Sequence, residues 1–205
     1  MPRPKDYDTQ PDRRTARLFV IGCEGEKTEL IYFSALAEGM RRVRVEPLPG
    51  INGLSGPEQV LDRLNAYKAT SPNSEFWLVI DVDRWFAPNR QRKMHKVLDE
   101  AAQRGYSVAI SNPCIEMWFL LHFELPLGEM GCDECESRLK SHFSYDKGRY
   151  DFETLRPRIS DAVQRARTLD TSAQQIRPPA NPNSHVYRII EAIHHECSAS
   201  SPFTL

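Results

Sequence analysis

No apolar run in this 205-residue chain approaches the roughly 20 residues that a membrane-spanning helix needs. The opening residues, Met1-Pro2-Arg3-Pro4-Lys5-Asp6, lead into polar sequence rather than the apolar core of a signal peptide, so a soluble cytoplasmic protein with no membrane partner is expected. Cysteine is sparse: Cys23, Cys114, Cys132, Cys135 and Cys197 are too few and too scattered for a disulfide framework, and their odd number fits reduced thiols. Charge of one sign is lacking too. A net charge of -1 gives no global field for nucleic acid, so any such partner must be held by local basic patches or through a metal. No segment matches the glycine-rich phosphate loop that ends in Lys-Ser or Lys-Thr, which excludes a built-in ATPase of that type.

What the chain does have is two short apolar runs that each end in acids. Leu18-Phe19-Val20-Ile21 runs into Gly22-Cys23-Glu24-Gly25-Glu26-Lys27-Thr28-Glu29, and Phe76-Trp77-Leu78-Val79-Ile80 runs into Asp81-Val82-Asp83. Both are uninterrupted and rich in β-branched and aromatic residues, which suits strands buried on both faces of a parallel sheet. Parallel neighbours end together, and open α/β sheets place their active crevices there. Carboxylates crowded at that edge repel one another unless a cation is present, and hard oxygen donors favour Mg²⁺ or Mn²⁺.

The composition, 40% hydrophobic and 27% charged, supports one core and a small appended lobe. Residues 1–15 lack apolar periodicity and read as a flexible arm. Leu30, Phe33 and Ala37 share one face of a helix over residues 27–38; Val43-Arg44-Val45-Glu46 alternates as a strand; and residues 47–56 form a loop. Ser55-Gly56-Pro57-Glu58 offers a capping box with Pro57 at the first helical position, before a helix that buries Val60, Leu61, Leu64 and Tyr67. Met94, Val97, Leu98 and Ala101 mark a third helix, ended by Gly105, and Ser107-Val108-Ala109-Ile110 is a fourth strand. This βαβαβαβ order predicts a largely parallel four-stranded sheet flanked by helices over residues 16–125. Beyond it lie a mostly apolar helix over residues 115–123, an aperiodic stretch over 126–135 that leaves Cys132-x-x-Cys135 in a loop, and two late helices. Those two carry Ile159, Ala162, Val163, Ala166 and Val186, Ile189, Ile190, Ile193. Residues 126–205 are therefore expected to form a helical C-terminal extension packed on the sheet. A zinc site at Cys132 and Cys135, completed by His194, His195 and Cys197, is the weaker alternative to plain reduced thiols.

Five segments in chain order carry a family resemblance: Gly22 to Glu29; Asp81-Val82-Asp83; Ser111-Asn112-Pro113-Cys114-Ile115-Glu116-Met117-Trp118-Phe119-Leu120-Leu121-His122-Phe123; Tyr145-Asp146-Lys147-Gly148; and Asn181-Pro182-Asn183-Ser184. Together they resemble the RloB family. The resemblance implies a Toprim-like fold, a metal-dependent nuclease activity and a place in bacterial anti-phage defence. It implies that Glu24, Asp81 and Asp83 hold one or two Mg²⁺ or Mn²⁺ ions. A second acid stands four positions after the first in related Toprim motifs, where this chain has Thr28. Glu29, one position later, is taken as that metal ligand, with Glu26 as the alternative. RNA, tRNA included, is preferred over DNA by analogy with related defence effectors, and a separate ATPase subunit is the expected kind of partner.

Phosphodiester hydrolysis needs an activated water, neutralisation of charge on the phosphorane-like transition state and a stabilised leaving oxygen, all within reach of carboxylate-held Mg²⁺. Lys27, at a helix start, and Lys147 are the candidate phosphate contacts, and Glu24 or Glu116 the candidate general base. Trp85 and Phe86 are candidates for base stacking, Arg41, Arg42 and Arg44 or Arg90, Arg92, Lys93 and Lys96 for a phosphate-binding face. Trp118, Phe119 and His122 read as core residues rather than chemistry. Two other functions fit the same residues: a non-catalytic binding or sensor module of a defence complex, and phosphotransfer on a nucleotide. A defence nuclease also needs restraint by a partner, a ligand or a phage signal.

Overall fold

A computed structural model describes residues 16–51, 53, 56–71, 73–82, 85, 90–170 and 178–198. Five strands, β1 (Arg17–Cys23), β2 (Val43–Leu48), β3 (Glu75–Asp81), β4 (Ser107–Asn112) and β5 (Asn183–Ser184), form one sheet in the order β2-β1-β3-β4-β5. The first four are parallel, as their apolar patterning and βα alternation require. The fifth strand is an addition to the expected four. It pairs antiparallel with β4, through Ser111 with Ser184 and Asn112 with Asn183, and so makes the sheet mixed. Two residues are too short to leave a periodic signal, which is why the sequence concealed it.

Alternation along β1 and β3 feeds two cores. Phe19, Ile21, Cys23, Trp77 and Val79 face α1 (Thr28–Leu36), α4 (Ile115–Leu120), α5 (Cys132–His142), α6 (Ile159–Leu169) and α7 (Val186–Ser198). Val20, Phe76, Leu78 and Ile80 face α2 (Pro57–Lys68) and α3 (Gln91–Gln103). Helices therefore cover both faces, and the C-terminal extension shares the first core rather than building its own.

Several boundaries move for clear reasons. β2 runs on through Pro47 to Leu48, where a loop is expected; it is the edge strand, so the missing proline N–H costs no ladder bond. Gly56 is the N-cap of α2 with Pro57 behind it, and no side chain caps that end; Ser55 of the expected capping box lies outside the described residues. α4 ends at Leu120, three residues early, in a short turn. α5 begins inside the stretch read as aperiodic, so the CxxC pair sits on a helix and not in a loop. Its mostly polar sequence buries only Cys135 and Leu139, too narrow an apolar face to announce a helix.

Candidate active site

β1 has β2 on one side and β3 on the other, so the chain's direction of winding reverses between β1 and β3. In open α/β sheets that reversal opens a crevice beyond the carboxyl ends of the two strands. Glu24 follows β1 directly and Asp81 ends β3. They meet: the Asp81 backbone N–H donates to Glu24 Oε1 at 3.4 Å, and the Trp85 indole N–H donates to Glu24 Oε2 at 3.0 Å. Trp85 thus braces an acid, and the Arg90 guanidinium lies 5.2 Å from its ring centre. Asp83 and Phe86 lie outside the described residues.

Glu29 and Glu116 complete the acidic group. Glu29, in the first turn of α1, is 4% exposed and folds back to accept a hydrogen bond from Gly25 N–H at 2.8 Å. Its carboxylate fills the space that a side chain at position 25 would need, so Gly25 is required for the close turn. Glu26 turns outward and accepts from Gly53 N–H at 2.9 Å, which separates it from the strand ends and leaves Glu29 as the inward acid. Glu116, in the first turn of α4, is 3% exposed. The Tyr145 hydroxyl donates to its Oε1 at 2.9 Å, and the Lys147 ammonium stands 3.4 Å from the same oxygen and 3.7 Å from Glu136 Oε2.

The turn that carries Tyr145 and Lys147 is pinned over the first motif. Gly148 N–H donates to Thr28 Oγ1 at 3.0 Å, and the Tyr150 hydroxyl donates to the Thr28 carbonyl at 2.8 Å. Gly148 has φ of 72°, and a Cβ there would lie 2.9 Å from the Lys27 Cβ. Thr28, which stands where an acid was sought, is thus a docking point for this turn.

Glu29 and Glu116 repel one another, and Glu29 and Asp81 both act on the Cys23 thiol. Burial pushes the Glu29 carboxyl above its ordinary value, Gly25 N–H opposes, and the charge of Glu116 adds to the rise. Burial and Glu29, opposed by Arg63 and seconded by Asp81, push the Cys23 thiol well up. Burial works to lower the Lys147 pKa, but its contacts with Glu116 prevail and hold it above the usual lysine range. Buried carboxylates that repel one another, with oxygen donors only, are chemically suited to a hard divalent cation. Among the described residues, no three His, Cys, Asp or Glu side chains already stand in a metal-holding arrangement.

The remaining candidates separate by position. Arg41, Arg42 and Arg44 are exposed at the start of β2, the end of the sheet away from the acids. Arg90, Arg92, Lys93 and Lys96 are exposed on the opening turns of α3, on the acidic side. Lys27 is exposed just before α1. Trp118 and Phe119 are fully buried, as expected. So is His122, whose Nδ1–H donates to the Trp118 carbonyl at 2.9 Å while Nε2 accepts from the Tyr32 hydroxyl at 3.2 Å. Cys197 is exposed at the end of α7, whereas the thiol beside Cys132 and Cys135 is that of Cys114. Sequence reasoning missed the tie of Tyr145 to Glu116, although the spacing of Tyr145 and Lys147 around one tight turn was the available signal.

No curated protein and no solved structure matches the chain. One family model does, that of the RloB-like protein, over residues 19–193, a span that takes in all of the segments above. The chain therefore belongs to the RloB-like family.

Proposed function

We propose that this protein is a Mg²⁺- or Mn²⁺-dependent nuclease with a Toprim-like site, acting on RNA in preference to DNA within an anti-phage defence system. The observation that carries the proposal is the meeting of Glu24 and Asp81 at the β1/β3 crevice, with the buried Glu29 folded onto Gly25 beside them and within electrostatic reach of Glu116. The substrate preference and the defence setting are supported by the family resemblance alone.

Glu24, Asp81 and Glu29 would hold the metal, with Asp83 as the fourth acid. When bound, the ion supplies Lewis-acid stabilisation of the phosphoryl charge and a more acidic water. The other roles belong to side chains. Glu116 takes a proton from the attacking water on its carboxylate, held in place by Tyr145. Lys147, 55% exposed, reaches a non-bridging phosphate oxygen while anchored on Glu116. Lys27 offers a second cation at the mouth of the crevice, and the basic start of α3 tracks the strand.

The test is cleavage of labelled tRNA, single-stranded RNA and supercoiled DNA in EDTA, Mg²⁺ and Mn²⁺, beside Asp81→Ala and Glu116→Gln. Metal-dependent RNA cleavage lost in both variants is the expected result. The bracing of Glu24 by Trp85 and the Asp81 backbone favours a second reading, a binding module whose acids are structural. Calorimetry with Mn²⁺ alone separates the two: no heat of binding in the wild type, together with no cleavage, would overturn the nuclease.

A further inference from the structure

Three of the five thiols gather at one point. Cys132 and Cys135 stand in the first turn of α5, at i and i+3. Helix geometry sets such Cα atoms about 5 Å apart, inside the roughly 4.4–6.8 Å that a disulfide spans. Cys114, the N-cap of α4, shares hydrogen bonds with both, in the seam where α4 packs on α5. Cys114 and Cys135 are buried, and Cys132 is half-exposed. Among the described residues these thiols do not stand in a metal-holding arrangement.

We propose that Cys132 and Cys135 form an oxidisable dithiol, which hydrogen peroxide converts to an intramolecular disulfide while Cys114 packs against it as a third, slower thiol. Cys132 is the entry point because it alone of the three reaches solvent. Its sulfur attacks a peroxide oxygen, the O–O bond breaks, and water leaves, giving a Cys132 sulfenic acid. Cys135 sulfur then attacks Cys132 sulfur, the S–O bond breaks, and hydroxide leaves with the Cys135 proton as a second water. Two thiols lose two electrons, and the peroxide becomes two waters. Cys114 is the slower thiol for a local reason. Its bond with Cys132 acts to lower its pKa, but its bond with Cys135 and its burial prevail, and the thiol stays protonated. The dithiol adjoins the acids: Glu116 lies two residues after Cys114, and Glu136, next to Cys135, pairs with Lys147. Any effect on cleavage rests on the nuclease proposal, whereas the chemistry of the thiols does not.

The experiment uses the full chain with Cys197→Ser, which removes the exposed competing thiol. It is treated with hydrogen peroxide, unfolded, alkylated and mapped by fragmentation mass spectrometry. The expected result is loss of two alkylatable thiols, a mass lower by two hydrogens, localisation to Cys132 and Cys135, and full recovery with dithiothreitol. Adding Cys132→Ser should abolish it and Cys114→Ser should leave it. Linkage of Cys132 to Cys114, or oxidation that stops at single cysteines without a disulfide, would overturn the assignment. Fragmentation of the Cys197→Ser protein reads the pair directly, so the answer survives a buried variant that fails to fold.

Discussion

Tyr145→Phe isolates one bond in the site. The ring lies among Phe119, Phe143 and Tyr150 at centroid distances of 6.2, 5.8 and 5.8 Å, and phenylalanine keeps that packing. Only the hydroxyl is lost, and with it the 2.9 Å bond to the buried Glu116 carboxylate. Burial drives the Tyr145 pKa up, so the hydroxyl keeps the proton that it donates. A hydrogen bond to a charged group is worth about 1.5–3 kcal/mol net, and its loss leaves a buried acceptor short of a donor. Tyr145→Phe is therefore expected to cost about 2 kcal/mol in urea unfolding with an unchanged slope. Lys147→Met removes an ion pair whose lysine is 55% exposed, and should cost under about 1 kcal/mol. Repeating Tyr145→Phe in a Glu116→Gln background removes the charge but keeps an acceptor, so its cost should roughly halve. A Tyr145→Phe cost below about 0.5 kcal/mol, or an equal cost in both backgrounds, would refute the view that Tyr145 holds a buried carboxylate.

Other perturbations follow from the same geometry. Gly148→Ala puts a side chain at a φ of 72° and 2.9 Å from Lys27 Cβ; it should cost about 1–3 kcal/mol by denaturant melts, and should weaken cleavage by displacing Lys147. Glu29 has a raised folded pKa, so the folded state holds more protons than the unfolded one. Its contribution is fully present below the ordinary carboxyl range and is lost as pH rises through the folded value. Glu29→Gln in metal-free buffer should thus raise the neutral-pH Tm and flatten its decline with pH, while weakening Mn²⁺ binding in calorimetry. Burial holds His122 neutral with a pKa pushed down to about 3, so its contribution is complete above 6.5 and drains away as pH falls towards 3. Acid unfolding monitored by circular dichroism should start at lower pH in His122→Gln if the substitution keeps the two hydrogen bonds, and an unaltered acid limb would count against this.

The parallel sheet was legible because each strand is a short apolar run followed by a helix with a clean face, as in Met94, Val97, Leu98 and Ala101 on α3. Glu24 and Asp81 were legible because the ends of adjacent parallel strands must coincide. The link from Tyr145 to Glu116 spans 29 residues and depends on how α5 swings the later turn over α1, which no local pattern encodes. The thiol cluster hid for the same reason: Cys114 reads as a residue of a turn, and only the seam between α4 and α5 brings it to Cys132 and Cys135. The choice of Glu29 over Glu26 turned on helix phase, which periodicity can supply, whereas the service of Thr28 to Gly148 and Tyr150 required the fold.

β5 has a consequence for how the protein is made. Asn183 and Ser184 close the outer side of β4, and the Ser184 and Ser111 hydroxyls meet at 2.9 Å in the interior. During synthesis the acids of β1 and β3 leave the ribosome early, while the segment that seals β4 and the helix α7 that follows it arrive among the last residues of the sheet's partners. Until then the face bearing Phe19, Ile21, Trp77 and Val79 lacks much of its cover. A product truncated before Asn183 is thus left with an unsealed β4 and a partly uncovered core face.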